Sequence, residues 1–176
     1  MNSVYAAAPE LGTEACRSLY RKLAAGVTVV TTCGLDGEPQ GLTASSVTTL
    51  SLRPPMMLVC LATGSGTLAA IRTRRAFAIH LLRAEQTALA AAFASSSGTG
   101  KFAGVEFQWA LGIPVLPGTM GWATCALADE RRYGDHSVVV GSVISVSDGK
   151  GEPLIWHDRR FRELSARERR DAFAEN

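Results

Sequence analysis

Between Gly41 and Ala62 the chain sets a run of small hydroxyl residues ahead of a Pro54-Pro55 break and an unbroken apolar segment. Thr43-Ala44-Ser45-Ser46 offers hydroxyls that donate and accept, on side chains small enough to leave backbone amides open. Such a surface can hold a polar planar ring or a phosphate; it can equally be a polar strand end facing water. Ser51 continues the hydroxyl series, and the apolar segment with Cys60, Leu61 and Ala62 can wall off the rest of a ring.

Further along, Gly64-Ser65-Gly66-Thr67-Leu68-Ala69 matches G-x-G-x-x-A, follows a strand pattern and opens a helix. Free amides at a helix N-terminus attract phosphate. A Rossmann domain would also need several more βαβ units and this motif in its first βα turn, whereas at least three strand-like segments precede it here. The motif therefore argues for an anion site more than for a fold. After a Ser/Gly loop, Lys101 can reach a phosphate and Phe102 can cover an apolar face, unless they are a surface cation and a core ring. Phe107 and Trp109 are expected to pack. Asp135, His136 and Ser137 stand in a row, but neighbours on a strand point to opposite faces, so no hydrolytic relay is expected. In Pro153-Leu154-Ile155-Trp156-His157-Asp158-Arg159-Arg160-Phe161, the arginines can bind NAD(P) phosphates or form a solvated basic tail. His80, alone in an apolar strand, is expected to be structural, and the three histidines are too scattered for a metal site.

In combination these motifs resemble the flavin reductase family, the small subunits of two-component flavin monooxygenases, from about Tyr20 to Leu164. The resemblance implies a mainly β (α+β) fold, an FMN-binding split β-barrel with short peripheral helices, normally a homodimer with flavin near the subunit interface. It implies hydride transfer from NADH or NADPH to FMN or FAD, and delivery of reduced flavin to a partner flavin-dependent monooxygenase. By the same resemblance Thr43, Ala44, Ser45 and Ser46 lie along the isoalloxazine ring, with Ser51, Cys60 and Leu61 in the same cofactor-binding stretch. Ala62, Ser65, Gly66 and Thr67 cradle the flavin phosphate. Lys101-Phe102 matches the family's "KF" pair, which approaches flavin. His136 in the "GDH" strand lies near nicotinamide and flavin and is the catalytic candidate. His157, Asp158, Arg159 and Arg160 belong to the closing segment, which usually reads PL-x-Y-H/R-x-x-x-Y. Here Trp156 and Phe161 replace both tyrosines, losing the phenol hydroxyls and keeping the rings. His80 replaces the asparagine of "FAVNVL". A flavin-binding barrel without reductase turnover and a Rossmann-type NAD(P) protein are the remaining readings.

The elements that would position these groups follow from pattern. Residues 1–12 read as a loose arm, 13–164 as the domain and 165–176 as a charged helical tail. Thr13 to Ala25 reads as a helix capped by Thr13 and stopped by Gly26. Val27 to Thr32 is a β-branched strand, and Asp36-Gly37 supplies positive φ for a hairpin into Pro39 to Ser46. Val47 to Leu52 is extended, Met56 to Ala62 reads as a central buried strand, and Phe77 to Leu82, Thr119 to Glu130, Ser137 to Val146 and Leu154 to His157 follow. Short helices are expected at Thr67 to Arg74, with Leu68 and Ile71 inward, and at Glu85 to Phe93. About seven strands with few helices between them fit a barrel rather than a doubly wound sheet.

The totals agree. Of 176 residues, 47% are hydrophobic and 19% charged, with a formal net charge of +2, which suits one compact domain and demands no nucleic-acid partner. The arginines at 72, 74 and 75 and from 159 to 170 read as solvated surface or binding groups. The four cysteines are widely spaced and without CxxC, so reduced thiols in a cytoplasmic protein are expected. No apolar run reaches the roughly 18 residues of a membrane helix, and the N-terminus lacks the pattern of a signal peptide.

Overall fold

The β-branched run after Gly26 becomes a strand because both of its faces find apolar cover. In the structure, a computed structural model that describes residues 12–95 and 99–164, β2 (Thr28–Cys33) is buried along its whole length. Val30 points into one core and Val29 into another. The buried hydroxyls between them are satisfied: Thr28 donates to the carbonyl of Ala44 at 2.7 Å, Thr32 to that of Ala76 at 2.8 Å, and Thr31 to that of Pro114.

In chain order the elements are α1 (Thr13–Tyr20), β1 (Ala25–Gly26), β2, β3 (Pro39–Ala44), β4 (Val47–Leu52), β5 (Pro55–Ala62), α2 (Gly66–Arg74), β6 (Ala76–Leu81) and α3 (Thr87–Ala94). A 3-10 turn (Thr99–Phe102) leads to β7 (Gln108–Ala110), β8 (Ile113–Val115), β9 (Gly121–Tyr133), β10 (His136–Asp148), β11 (Ile155–His157) and β12 (Arg160–Arg162). Seven strands form one sheet in the order β3-β2-β6-β9-β10-β5-β4, every neighbouring pair antiparallel. The two edge strands, β3 and β4, are consecutive in the chain and joined by Ser45-Ser46 alone. The result is a mostly β, incompletely closed barrel, and the parallel α/β arrangement that the glycine-rich turn left open is not the one observed.

The barrel interior holds Val30, Val59, Leu61, Phe77, Ile79, Cys125 and Val139, plugged by Leu68 and Ile71 of α2. Arg72 clamps α2 to the outside of β9 through two contacts with Glu130 at 2.9 and 2.6 Å, which raises the guanidinium pKa and lowers that of the carboxyl. Arg74 and Arg75 donate to the carbonyls of Gly112 and Leu127, so this basic cluster is bound to the fold. A second cluster lies under α3, where Phe93 packs with Val29, Leu82, Phe102, Leu116 and Leu154. Close approach needs glycine twice. A Cβ on Gly41 would sit 2.8 Å from the Phe93 ring, and one on Gly141 would sit 2.6 Å from Phe77 and 2.7 Å from Cys125. Gly141 also marks a bulge in the β9–β10 ladder. All four thiols are free, and burial pushes Cys125 up to about 12. Among the described residues no helix is long and apolar enough to cross a membrane.

Several expectations change. α1 ends at Tyr20, Gly12 rather than Thr13 holds the cap position, and no residue of the helix is buried. Ala25 and Gly26 form a short strand paired with Trp156 and Ile155. In the hairpin only Gly37 has positive φ; Asp36 instead accepts the Glu38 amide. Arg53-Pro54 makes the β4–β5 turn, and Pro55 already belongs to β5, paired with Leu52. β5 is one strand from the sheet edge, and Met56, Met57, Leu58 and Cys60 are only half-buried. β1, β7, β8 and β12 were not expected. The tail from Ser165 lies outside the described residues.

His80 is fully buried. Its Nδ1 is 2.9 Å from the Val29 carbonyl, and its Nε2 has no partner among the described residues. Burial pulls its pKa from 6.5 down to about 4, against the smaller effect of the Val29 contact. The folded chain thus holds a neutral ring that the unfolded chain protonates below pH 6.5. Its contribution is intact above 6.5 and is lost, by about 3 kcal/mol, as pH falls toward 4. His80→Asn should flatten the fall in unfolding free energy over that window, measured by urea titration; identical slopes in both proteins would refute it.

Candidate functional site

The hydroxyl run ends at the bend joining the two edge strands, and its members have separate tasks. Thr43 donates to the Ala90 carbonyl at 2.6 Å, tying β3 to α3. Ala44 is buried. Ser46 donates to the Cys60 carbonyl at 2.7 Å, while the Cys60 amide donates to the Ser46 carbonyl at 3.3 Å. This pair carries the β4–β5 ladder one residue beyond Val47–Val59, up to the bend. Ser45 is exposed, and its hydroxyl makes no hydrogen bond among the described residues. Ser51 accepts from the Arg53 amide in the β4–β5 turn, at the far end of β4, so the structure does not bring it to the bend. Leu61 points into the barrel core.

Beyond Cys60, β5 ends at exposed Ala62 and the chain turns into α2. Ser65 caps that helix, its hydroxyl accepting from the Leu68 amide at 3.4 Å. The first amides of a helix have no partner within it, so those of Gly66 and Thr67 remain as donors. Gly64 faces open space, and Thr67 is almost buried. This cradle fits a phosphate: two amides, a hydroxyl cap and the positive end of a helix dipole.

The β9–β10 turn is fastened to the same place. Thr63 donates to the Asp135 carbonyl at 2.9 Å, and His136 pairs with Ala62. Asp135 lies in the turn rather than on the strand, so its carboxylate does reach the neighbouring ring: Oδ1 is 2.8 Å from His136 Nδ1. That contact holds the Asp135 carboxyl below its usual range. Ser137 is buried on the other side, so no three-residue relay forms.

Lys101 and Phe102 brace the flank. Nζ donates to the carbonyls of Gly41 and Phe93, each at 3.2 Å, and burial lowers its pKa. Phe102 is buried, edge-on to Phe93 at 4.9 Å and to Phe107 at 5.3 Å. Trp109 continues that series against Phe107 at 5.6 Å while staying half exposed.

The closing segment returns to the bend. Trp156 and Phe161, with ring centroids 5.1 Å apart, line a cavity of about 260 Å³ with Val27, Thr43, Ser45 and Ala94. His157 is half-buried at its edge, and Asp158, Arg159 and Arg160 are exposed in the turn and strand beyond. The structure thus joins two sets of groups through Ser45-Ser46. One is the Cys60–Ala62–Ser65–His136 side; the other is the aromatic cavity. Sequence reasoning missed Val27 and Ala94, since an apolar residue at a strand start or a helix end carries no signal of its own.

Ser65→Ala removes the cap and should lower unfolding free energy by about 1 kcal/mol in urea titration; an unchanged midpoint would show that the Leu68 amide is satisfied without it.

The comparisons with known proteins agree with this geometry. The flavin reductase like domain matches residues 20–165. The chain is 40% identical over 145 residues to the reductase component of a 4-nitrophenol 4-monooxygenase/4-nitrocatechol 2-monooxygenase of Rhodococcus opacus, covering 82% of this chain and 77% of that one. It is 35% identical over 159 residues to an NADH:riboflavin 5'-phosphate oxidoreductase of Streptomyces pristinaespiralis, covering 88% and 90%. An NADH:FAD oxidoreductase of Streptomyces globisporus C-1027, solved with NAD and FAD fragments, superposes with a TM-score of 0.82 at 29% identity over 90% of this chain and 98% of that one. With the barrel, the bend and the helix-capped turn all in place, this chain belongs to the flavin reductase like domain family.

Proposed function

We propose that the protein is an NAD(P)H:flavin oxidoreductase that reduces FMN or FAD and supplies reduced flavin to a partner monooxygenase. The observation that carries this reading is the placement of a hydroxyl bend and an open helix N-terminus at either end of one short stretch, Cys60 to Ser65. A polar ring edge fits the first and a phosphate the second. Relatives named as NADH-dependent flavin reductases and as a monooxygenase reductase component support it.

Bound flavin would supply the hydride-accepting ring, with nicotinamide as donor. The chain's part is to orient two rings in contact and keep water out. Ser45 and the backbone of the bend would hold the polar edge of the flavin, with Ser46 and Cys60 fixing that backbone. The amides of Gly66 and Thr67 would hold the phosphate. Trp156 and Phe161 would cover the cavity side. His136, kept by Asp135 with one ring nitrogen engaged, would stand at the nicotinamide edge. Lys101 would act by holding β3 against α3, so that the bend keeps its place. A homodimer is part of the same reading: Leu50 and Leu52 of β4 and Ile144 and Val146 of β10 leave apolar surface exposed, which a second copy would cover.

The decisive experiment is NADH and NADPH oxidation at 340 nm with and without added FMN and FAD. Oxidation should depend on flavin. Thr67→Ala should weaken flavin binding, and His136→Ala should slow oxidation with little effect on flavin affinity. No oxidation with any pair would refute the reading, and unchanged flavin affinity in Thr67→Ala would refute the phosphate placement.

A further inference from the structure

Besides the proline-containing Arg53-Pro54 turn of β4–β5, three strand pairs among the described residues close through two-residue loops: Leu111-Gly112, Gly134-Asp135 and Asp158-Arg159. Without proline, tight antiparallel loops favour positive φ, and glycine adopts it without steric cost. The first loop has Leu111 at 53° and Gly112 at 73°, with glycine in the second place; the next has Gly134 at 60°. The third departs from this pattern. Asp158 lies at 48° and Arg159 at 62°, so a long side chain occupies the position that glycine fills in β7–β8. Aspartate tolerates this region, whereas arginine has no such local compensation.

The strained loop is held firmly. The Asp158 amide donates to the Arg21 carbonyl at 2.9 Å, His157 pairs with Arg160, and Trp156 packs on Phe161. The last two line the cavity shared with Thr43 and Ser45, so the loop stands at that cavity's rim. Arg159 is exposed and its side chain makes no hydrogen bond or ion pair among the described residues, unlike Arg72, Arg74 and Arg75. Across residues 158–162 three arginines face a single aspartate, and the rim is cationic.

Resting on the reductase reading, we propose that Arg159 is a specificity-determining contact to a phosphate of the nicotinamide cofactor, kept in a backbone conformation that glycine would adopt more easily. Guanidinium suits this task because its planar fork meets phosphate oxygens in pairs. Two phosphates offer this chemistry: the pyrophosphate common to NADH and NADPH, and the 2′-phosphate of NADPH.

The test compares wild type, Arg159→Gly and Arg159→Lys. Melting temperature is followed by circular dichroism, dissociation constants for NAD+ and NADP+ by calorimetry on flavin-saturated protein, and steady-state kinetics at 340 nm. Arg159→Gly should melt about 2 °C higher as the strain is relieved, bind the dinucleotide about three- to tenfold more weakly, and raise KM by more than it lowers kcat. Arg159→Lys keeps the charge and the strain but loses the paired donors, and its affinity should fall between that of wild type and that of Arg159→Gly. Equal weakening for both dinucleotides assigns the pyrophosphate; weakening for NADP+ alone assigns the 2′-phosphate. Unchanged dinucleotide affinity in Arg159→Gly overturns the proposal, as does a shift confined to flavin affinity. A melting temperature that does not rise overturns the strain on which it stands. Flavin-dependent oxidation by wild type separates these failures from failure of the reductase reading itself, which would show as no oxidation in any of the three proteins.

Discussion

Two residues, Ser45 and Ser46, link strands that lie at opposite edges of a seven-stranded sheet. Laid flat, such a sheet would be about 29 Å wide, while the three Cα steps from Ala44 to Val47 can span only about 11 Å. The sheet has to curl until its edges nearly meet, and the Ser46–Cys60 pair carries the β4–β5 ladder right up to that bend. The interior, the plug helix and the shape of the candidate site all follow from that short link.

The link also explains how the polar groups divide their work. Ser46 and Thr43 spend their hydroxyl protons on the fold, on carbonyls of β5 and α3, and Lys101 spends two of its donors on β3 and α3. What stays open is Ser45, the first amides of α2 and the exposed ring of His136. A site built this way presents mostly backbone and small groups on a stiff frame, which suits binding and orientation of a ring that carries its own reactivity.

Much of this was legible from sequence. Thr28 to Cys33, the Met56 to Ala62 run and the valine-rich start of β10 have side chains that suit strands, and Leu68 and Ile71 placed inward marked α2, whereas the Ser65 cap came only with the structure. The glycine-rich turn was recognisable as a strand end opening into a helix N-terminus because its signal is local. Pairing was not legible. Nothing in Ser51 shows that it sits in the far turn of β4, or in Lys101 that its ammonium meets two carbonyls, since both depend on contacts between distant segments. α1 was drawn too long because Leu19 and Leu23 are spaced as if for a buried face, yet both are exposed. β12 was hard to see because three residues give no periodicity, and the loop that joins it to β11 breaks the turn rules that would have announced it.

Among the described residues the long β9–β10 hairpin supplies the hydrogen-bonded ladder that joins two β units linked otherwise through Ser45-Ser46. β2, β3 and β6 pair among themselves, as do β4 and β5, but these two sets meet through strands that the chain does not finish until Asp148. During synthesis the emerging polypeptide therefore carries two small sheets with bare edges for most of its length. Neither can bury its apolar face fully, and the barrel core comes together in one late event. The strands that complete the sheet end at Asp148, about five-sixths of the way along the chain, so a chain cut short of that point leaves the edges of β6 and β5 bare and open to pairing with another molecule.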